Sequence, residues 1–376
     1  MKNSAIYIHI PFCKVKCIYC DFYSITNREN QIPLFTKLLI KEIKSYKNYR
    51  NKDWNFNTIF FGGGTPSILP SKDIEKILEE LDKTFNISSV KEITLEANPG
   101  EASLEFLKDI KKIGINRLSM GFQSFNNKLL KKLGRLHKSE DCLKTFKKAR
   151  KAGFDNINTD MIFNIPSLTT NDWKKDLSKL VSLNPEHISA YSLTVEPSTQ
   201  LFNLVKNKKV IMPIEEIDIE QFLITKEILL NNNYIHYEIS NYSKKNKECK
   251  HNLNYWKLNP YLSFGPSAHS YDGKKRWWNV KSLEKYLTLL KNDSTPVENF
   301  EILSTNDNYN EIILNGLRLS NGIELSKIKK FHSNNYINYI SKIKNKWDCI
   351  KITKDRIKLK NNGMLFVDDI SSDMFI

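Results

Sequence analysis

The sequence predicts an α/β fold: a partial (β/α)6 barrel followed by a small C-terminal α+β module of winged-helix-like character. Three observations lead there. Six short β-rich runs alternate with amphipathic stretches through the first half of the chain, the pattern of β/α units around a parallel sheet. The chemically unusual residues sit at the C-terminal ends of those runs, where barrels of this kind build their active face. The texture then turns aromatic-rich, and finally becomes short helices and a hairpin.

The runs are Ile6–Ile10, Thr58–Phe61, Glu92–Glu96, Arg117–Gly121, Ile157–Phe163 and His187–Val195, rich in β-branched and aromatic residues that favour strands. Between them, Lys72–Phe85, Ser103–Ile113, Ser139–Gly153 and Asn171–Leu183 carry apolar residues at three- and four-residue intervals, the period of a half-buried helix. Ser71 is expected to cap one helix and Gly153 to end another. Six units leave a barrel open on one side, so something must cover it. Segments reading HYEISNYSKK, HNLNYWK and KKRWWN follow near residues 236–280. Beyond Glu301 come short helices and a hairpin over Ile350–Val367, with Asn361-Asn362-Gly363 as its turn. The expected organisation is a core domain over 1–236, an aromatic-rich connecting segment over 237–300 containing an HNxxYW motif, and a separate module over 301–376.

Cys13, Cys17 and Cys20 are spaced C-x3-C-x2-C. Three thiolates are one short of closing a tetrahedral zinc site or of ligating every iron of a four-iron cluster, so one metal position stays open for chemistry. Zinc is the rival, with His9 as a fourth ligand, but His9 lies in an alternating strand-like run and a second C-x2-C pair is absent. Six cysteines in 376 residues are too sparse for a disulfide framework. Cys142 and Cys349 lie in ordinary segments and read as buried thiols.

Hydrophobic residues at 40% and aromatics at 11% suffice for a large core. No run of about 18 apolar residues occurs, and no apolar leader precedes the first strand, so a cytoplasmic protein without a transmembrane segment is expected. The net charge of +16 raises the question of nucleic acid. Its lysines are spread along amphipathic segments with no recognition motif, so no nucleic-acid partner is expected. A basic surface also suits an acidic electron donor.

The residues at the strand ends are the cysteines after the first run, Gly62-Gly63-Gly64-Thr65-Pro66 after the second, and Glu96-Ala97-Asn98-Pro99 at the third. Gly121-Phe122-Gln123-Ser124 closes the fourth, Asn158 and Asp160 lie in the fifth, and Tyr191 and Glu196 come with the sixth. With these assembled, the chain resembles the radical S-adenosylmethionine superfamily. Within it, the chain is similar to the oxygen-independent coproporphyrinogen III oxidase family, most of all to its heme-chaperone branch, from Tyr7 through the C-terminal module.

That resemblance implies a radical-SAM barrel in which Cys13, Cys17 and Cys20 ligate three irons of a [4Fe–4S] cluster and S-adenosylmethionine chelates the fourth. It implies that Gly63, Gly64 and Thr65 form the turn approached by the methionyl amine, and that Glu96, Gln123, Arg135 and Asp160 contact the same cofactor. Tyr7 and Tyr19 would pack around the cluster and the adenine. Taken singly, each has a plainer reading as an ordinary turn, core aromatic or salt bridge. The implied partners are a heme-accepting protein, a flavodoxin- or ferredoxin-type electron donor and a second copy of the chain, with any membrane contact peripheral.

Two departures separate the branches. The oxidases carry a further cysteine two positions after the third, where this chain has Phe22, and an N-terminal extension ahead of the first strand. In the other direction, His251-Asn252-Leu253-Asn254-Tyr255-Trp256 matches the HNxxYW motif of the chaperones. Imidazole is a common axial ligand of heme, so His251 is the first candidate ligand, His269 in Ser267-Ala268-His269-Ser270 a competitor, and Cys249 a site for covalent attachment. A histidine in an aromatic segment is also often a hydrogen-bonded linker. The resemblance implies a heme chaperone binding the cluster, S-adenosylmethionine and heme. The alternative is an oxygen-independent coproporphyrinogen III oxidase or another radical enzyme, such as a methyl-transferring relative.

Overall fold

The computed structural model of the chain describes residues 2–51, 54–332 and 336–376. Six parallel strands appear where the sequence predicts them: β1 (Lys2–Ile10), β2 (Trp54–Gly63), β3 (Glu92–Ala97), β4 (Arg117–Gln123), β5 (Ile157–Phe163) and β6 (His187–Ser192), paired in that order. Ile6, Ile8 and Ile10 alternate with the lumen residues Tyr7 and His9, and helices cover the outer face. Those helices include Ser71–Phe85, Leu104–Lys112, Ser139–Lys151 and Thr170–Leu183. Ser103 and Thr169 cap two of them by accepting backbone N–H bonds from Phe106 and Asp172. Gly153, with φ of 93°, follows the end of a third. Ser71 departs from its expected role: Pro70 occupies the cap position, and the Ser71 hydroxyl donates instead to Asp109 of the next helix.

The aromatic-rich stretch adds six strands, which the sequence reading did not anticipate. β7 (Ile235–Glu238) and β8 (Asn241–Ser243) form a hairpin whose second strand pairs antiparallel with β6. β9 (Tyr261–Phe264) pairs parallel with β1, making a seventh parallel strand beside the expected six. β10 (His269–Tyr271), β11 (Lys275–Asn279) and β12 (Val297–Ile302) continue antiparallel from it, giving a twelve-stranded sheet ordered β12-β11-β10-β9-β1-β2-β3-β4-β5-β6-β8-β7. Although Pro260 and Gly265 bracket it, β9 is only four residues long, too short a run for its period to declare a strand.

Buried Glu42 holds this extension to the helix Ile32–Ser45: it accepts from Tyr286 Oη (2.5 Å), Gly265 N (2.9 Å) and Asn279 Nδ2 (2.6 Å). The HNxxYW motif forms the short helix Lys250–Trp256, packed on β1 and β2.

The C-terminal module has its own core, including Tyr309, Ile313, Leu317, Ile328, Ile350, Ile370 and Met374. Helices Thr305–Leu317, Leu325–His332 and Tyr336–Lys346 pack with a three-stranded antiparallel sheet, in which β15 (Arg356–Leu359) lies between β13 (Ile323–Glu324) and β14 (Ile350–Ile352). The hairpin's turn falls at residues 353–355, where the Thr353 hydroxyl accepts from Arg356 N, and not at Asn361-Asn362-Gly363. That triplet leads out of β15 into a 3-10 turn at Gly363–Phe366, with Asn361 left-handed at φ of 54°. Backbone bonds from Ile239 N to Arg318 O and from Ser320 N to Tyr237 O dock the module on the β7–β8 hairpin. Among the described residues, no helix is long and apolar enough to cross a membrane.

Candidate functional site

The loop after β1 is pinned at its base, where Cys13 N donates to Ile25 O (2.9 Å) and Ile25 N to Pro11 O (2.7 Å). Ile18 N to Leu133 O and Leu201 N to Ile18 O fix its far side. Cys13, Cys17 and Cys20, all free thiols, line one cleft of about 310 Å³ together with Tyr19, Gly63, Gly64, Thr65 and Arg135. The glycine turn abuts this loop through Gly64 N to Ile10 O (2.7 Å) and Thr65 N to Phe12 O (2.8 Å). A Cβ on Gly64 would lie 2.6 Å from Phe12 O and 3.0 Å from Cys13 Sγ. Gly63, at φ of 104°, leaves no room against the His9 ring.

Two donors point at the sulfurs: Thr65 Oγ1 at Cys13 Sγ (3.5 Å) and Arg135 Nη1 at Cys17 Sγ (3.4 Å). Arg135 also donates to Gly121 O at 3.0 Å. Burial pushes the Cys13 thiol up and that of Cys20 to about 11, so a positive metal is what would hold both as thiolates. Among the described residues no three His, Cys, Asp or Glu side chains converge on one ion. Three thiols spread around a cleft, with O–H and N–H donors at two sulfurs, instead fit a polynuclear iron–sulfur group.

Gln123 lies at the end of β4 in the left-handed region, φ of 65°, inside a tight turn closed by Ser124 N to Phe122 O (2.8 Å). Such strain in a non-glycine residue concentrates at functional sites. Its side chain crowds Gly121, whose added Cβ would meet Gln123 Nε2 at 2.7 Å and Arg135 Nη2 at 3.2 Å.

A second cavity of about 530 Å³, the barrel lumen, shares Gly63 with the cleft and is lined by Tyr7, Glu96, Asp160, His251 and His269 among others. Burial, reinforced by the nearby Asp160 charge, raises Glu96 to about 8 against the opposing pull of the Gly63 N–H. Asp160, also raised by burial, accepts from Asn158 Nδ2 (2.7 Å) and Ser119 Oγ (3.2 Å). Tyr7 Oη is 3.2 Å from His9 Nδ1, and His9 Nε2 is 2.8 Å from Tyr23 O.

His251 is 1% exposed, with Nδ1 at 2.9 Å from Thr58 Oγ1, Nε2 at 3.0 Å from Tyr255 Oη, and its backbone N–H on Glu92. While those bonds stand, neither nitrogen is free for a metal.

The structure thus divides the sequence-predicted residues. The three cysteines, Tyr19, Gly64, Thr65 and Arg135 line the cleft, Tyr7, Glu96, Asp160 and His251 line the lumen, Gly63 touches both, and Gln123 stands at a strand end lining neither. Three participants take roles that the sequence did not assign: Asn98 was named only within its strand-end stretch, His9 only as a possible zinc ligand, and Arg117 only as the start of a run. Asn98 bridges Thr65 and Arg135, and its place just before Pro99 at a strand end was the available signal. His9 supports Tyr7. Arg117 lines the lumen at 2% exposure with its Nε unbonded among the described residues; an arginine opening a buried strand was its signal.

Residues 7–180 match the Radical SAM superfamily. The chain is 36% identical to the heme chaperone HemW of Bacillus subtilis (strain 168) over 325 residues, 86% of this chain and 85% of that one. It is 40% identical to the heme chaperone HemW of Buchnera aphidicola subsp. Schizaphis graminum over 270 residues, 70% and 69% of the two chains. Among solved structures, the coproporphyrinogen III oxidase HemN from Escherichia coli superposes with a TM-score of 0.85 at 21% identity, covering 100% of this chain and 90% of the other, which establishes a shared fold.

Proposed function

The chain belongs to the heme chaperone HemW family of the radical SAM superfamily, and from that premise we propose that it is a heme chaperone: it binds a [4Fe–4S] cluster, S-adenosylmethionine and heme, and delivers the heme to an acceptor protein. The observation carrying this reading is a full set of three thiols with their supporting donors in one cleft, sharing Gly63 with a lumen lined by Glu96 and Asp160.

In this reading Cys13, Cys17 and Cys20 would hold the cluster, whose chemistry when bound is one-electron transfer to a neighbouring sulfonium. The chain's own contribution is positioning. Gly63 and Gly64 leave backbone bare where the methionyl amine needs close approach. Arg135, already committed to Cys17 and Asn98, keeps a positive charge beside the cysteine loop for the methionyl carboxylate. Glu96, neutral up to about pH 8, can both donate to and accept from ribose hydroxyls, with Asp160 and Gln123 nearby along the same rim. Tyr19 closes the cleft side and Tyr7 the lumen side.

Residues 1–236 serve as the cofactor-binding core, 237–300 as the segment closing its open side, and 301–376 as a module for contact with the acceptor. The protein is taken to work in the cytoplasm, where a flavodoxin- or ferredoxin-type donor meets its basic surface (net charge +16). It is taken to pair as a homodimer, with any membrane contact peripheral.

The test is anaerobic reconstitution of the full chain, followed by heme titration and a coproporphyrinogen III turnover assay on one sample. Heme taken up without protoporphyrinogen formation is the expected result. Turnover without heme uptake would overturn the proposal in favour of an oxidase lacking a cysteine at Phe22.

A further inference from the structure

Two histidines of the lumen wall, His251 and His269, are candidates for holding heme iron, and their surroundings differ in kind. We propose that His269 is the residue through which the chain ligates heme iron, at the mouth of the lumen. The inference rests on the heme-carrying reading above and adds the ligand, which that reading leaves open.

His251 is spoken for. Both ring nitrogens are hydrogen-bonded, to Thr58 and Tyr255, inside a packed region where the imidazole also contacts Phe60 (5.0 Å between ring centroids) and Tyr255 (5.0 Å). Bringing iron to either nitrogen would break one bond and leave a buried hydroxyl without its partner, a penalty the ligand would have to overcome.

His269 has the opposite character. It opens β10, is exposed, and neither ring nitrogen is hydrogen-bonded among the described residues. Its ring is nonetheless oriented: it lies opposite Trp278 across the β10–β11 pair and stacks on that indole, with centroids 5.7 Å apart and planes inclined by 23°. A ligand imidazole performs best when a supporting group fixes its plane while its nitrogen stays open.

The turn that presents His269 is rigid. Gly265, at φ of 104°, leaves no space against His9 O, and its N–H is bonded to the buried Glu42 carboxylate. Ser267 adopts a left-handed φ of 62° with its N–H on Val280 O, and Ala268 O accepts from Asn279 N. Strain of this kind in a serine is retained where the surrounding bonds enforce it, and it marks functional turns. The same cavity wall carries Phe22, 67% exposed, and Tyr191, 40% exposed, flat apolar faces suited to a macrocycle. Exposed Lys281 supplies a cation for a propionate.

The experiment titrates heme into full-length, cluster-reconstituted wild type and into the His269→Ala and His269→Cys variants, with iron and sulfide content measured first to verify the reconstituted state. Expected are a Soret band and low-spin signal for wild type, loss of that signal with at least a tenfold weaker affinity in His269→Ala, and a thiolate-type spectrum in His269→Cys. Wild type that takes up no heme would sink the chaperone reading and this inference together. Wild type that binds heme while both variants reproduce its spectrum and affinity would overturn this inference alone and leave the chaperone reading intact.

Discussion

Arg135 Nη2 and Asn98 Oδ1 lie 2.6 Å apart, a charge-assisted bond that closes a polar relay between two sulfurs of the cysteine loop. Asn98 Nδ2 donates onward to Thr65 Oγ1 at 2.9 Å, so the relay runs Cys17–Arg135–Asn98–Thr65–Cys13. Each end places a hydrogen-bond donor on a sulfur. Such donors stabilise the more negative, reduced form of an iron–sulfur group. Thr65→Val, which keeps the shape and removes the hydroxyl, is expected to lower the reduction potential of the reconstituted protein. Arg135→Gln should lower it further, because a charge is lost as well. An EPR-monitored redox titration measures both shifts, and unchanged potentials would remove the relay from any role in tuning.

The glycine turn makes a sharper steric prediction. A methyl at Gly64 would sit 2.6 Å from Phe12 O and 2.8 Å from Ile10 O, both backbone atoms that cannot swing away. Gly64→Ala is therefore expected to cost about 1–3 kcal/mol by overpacking. Its larger effect should be displacement of the Cys13 segment, read as a marked fall in iron per chain after reconstitution. Gly273→Ala is a useful contrast: nothing lies within 4 Å of its added Cβ, but its φ of 97° makes it a test of backbone strain alone, and iron content should stay at the wild-type value.

The parallel core was legible because both of its signals are local. Isoleucine-rich runs mark strands buried on two faces, and three-to-four spacing marks the helices covering them. The cysteine triplet and the glycine turn were legible for a similar reason, since their chemistry is carried by spacing within a few residues. What escaped were relationships that exist only across long separations. β9 becomes a strand because β1 offers it an edge 256 residues away in sequence. Asn98 and Arg135 become partners because the end of β3 meets the loop that follows the helix Asn127–Lys132. Likewise, the sequence put His251 ahead of His269 as a candidate heme ligand, and only packing separates the sequestered ring from the presented one. Asn361-Asn362-Gly363 had the composition of a hairpin turn, but the chain used residues 353–355 because Thr353 and Asp355 satisfy that turn with their own side chains.

Glu42 predicts a pH dependence of stability. It is fully buried, and desolvation raises it to about 7, partly offset by donors from Tyr286, Gly265 and Asn279. Its folded-state pKa thus lies above the ordinary carboxylate value of 4.5. Between those limits the folded chain holds a proton that the unfolded chain has released, so stability falls as pH rises through this window and levels off above it. Glu42→Gln, which cannot ionise, should remove this site's share of the decline. Thermal melts of both proteins from pH 4.5 to 8 measure it; parallel curves would show that folding leaves the Glu42 pKa at its ordinary carboxylate value.

Glu92 ties the start of the HNxxYW helix to the lumen residue Arg117. Only 3% exposed, it accepts from Lys250 N (3.0 Å) and His251 N (2.9 Å) at the start of the HNxxYW helix, and its charge faces the buried guanidinium of Arg117. Two roles are thus combined: capping N–H groups that have no partner inside the helix, and compensating a cation that is nearly fully desolvated. Glu92→Gln keeps an acceptor for the helix but removes the counter-charge, and is expected to cost about 2–4 kcal/mol in urea unfolding. If charge compensation is the larger of the two roles, replacing Arg117 as well should recover part of that loss. In a double-mutant cycle with Arg117→Met, the coupling should then reach about 1 kcal/mol or more. Additive losses would instead assign the whole effect to the cap, and hydrogen-exchange protection of Leu253–Lys257 should then fall in Glu92→Gln alone and stay high in Arg117→Met.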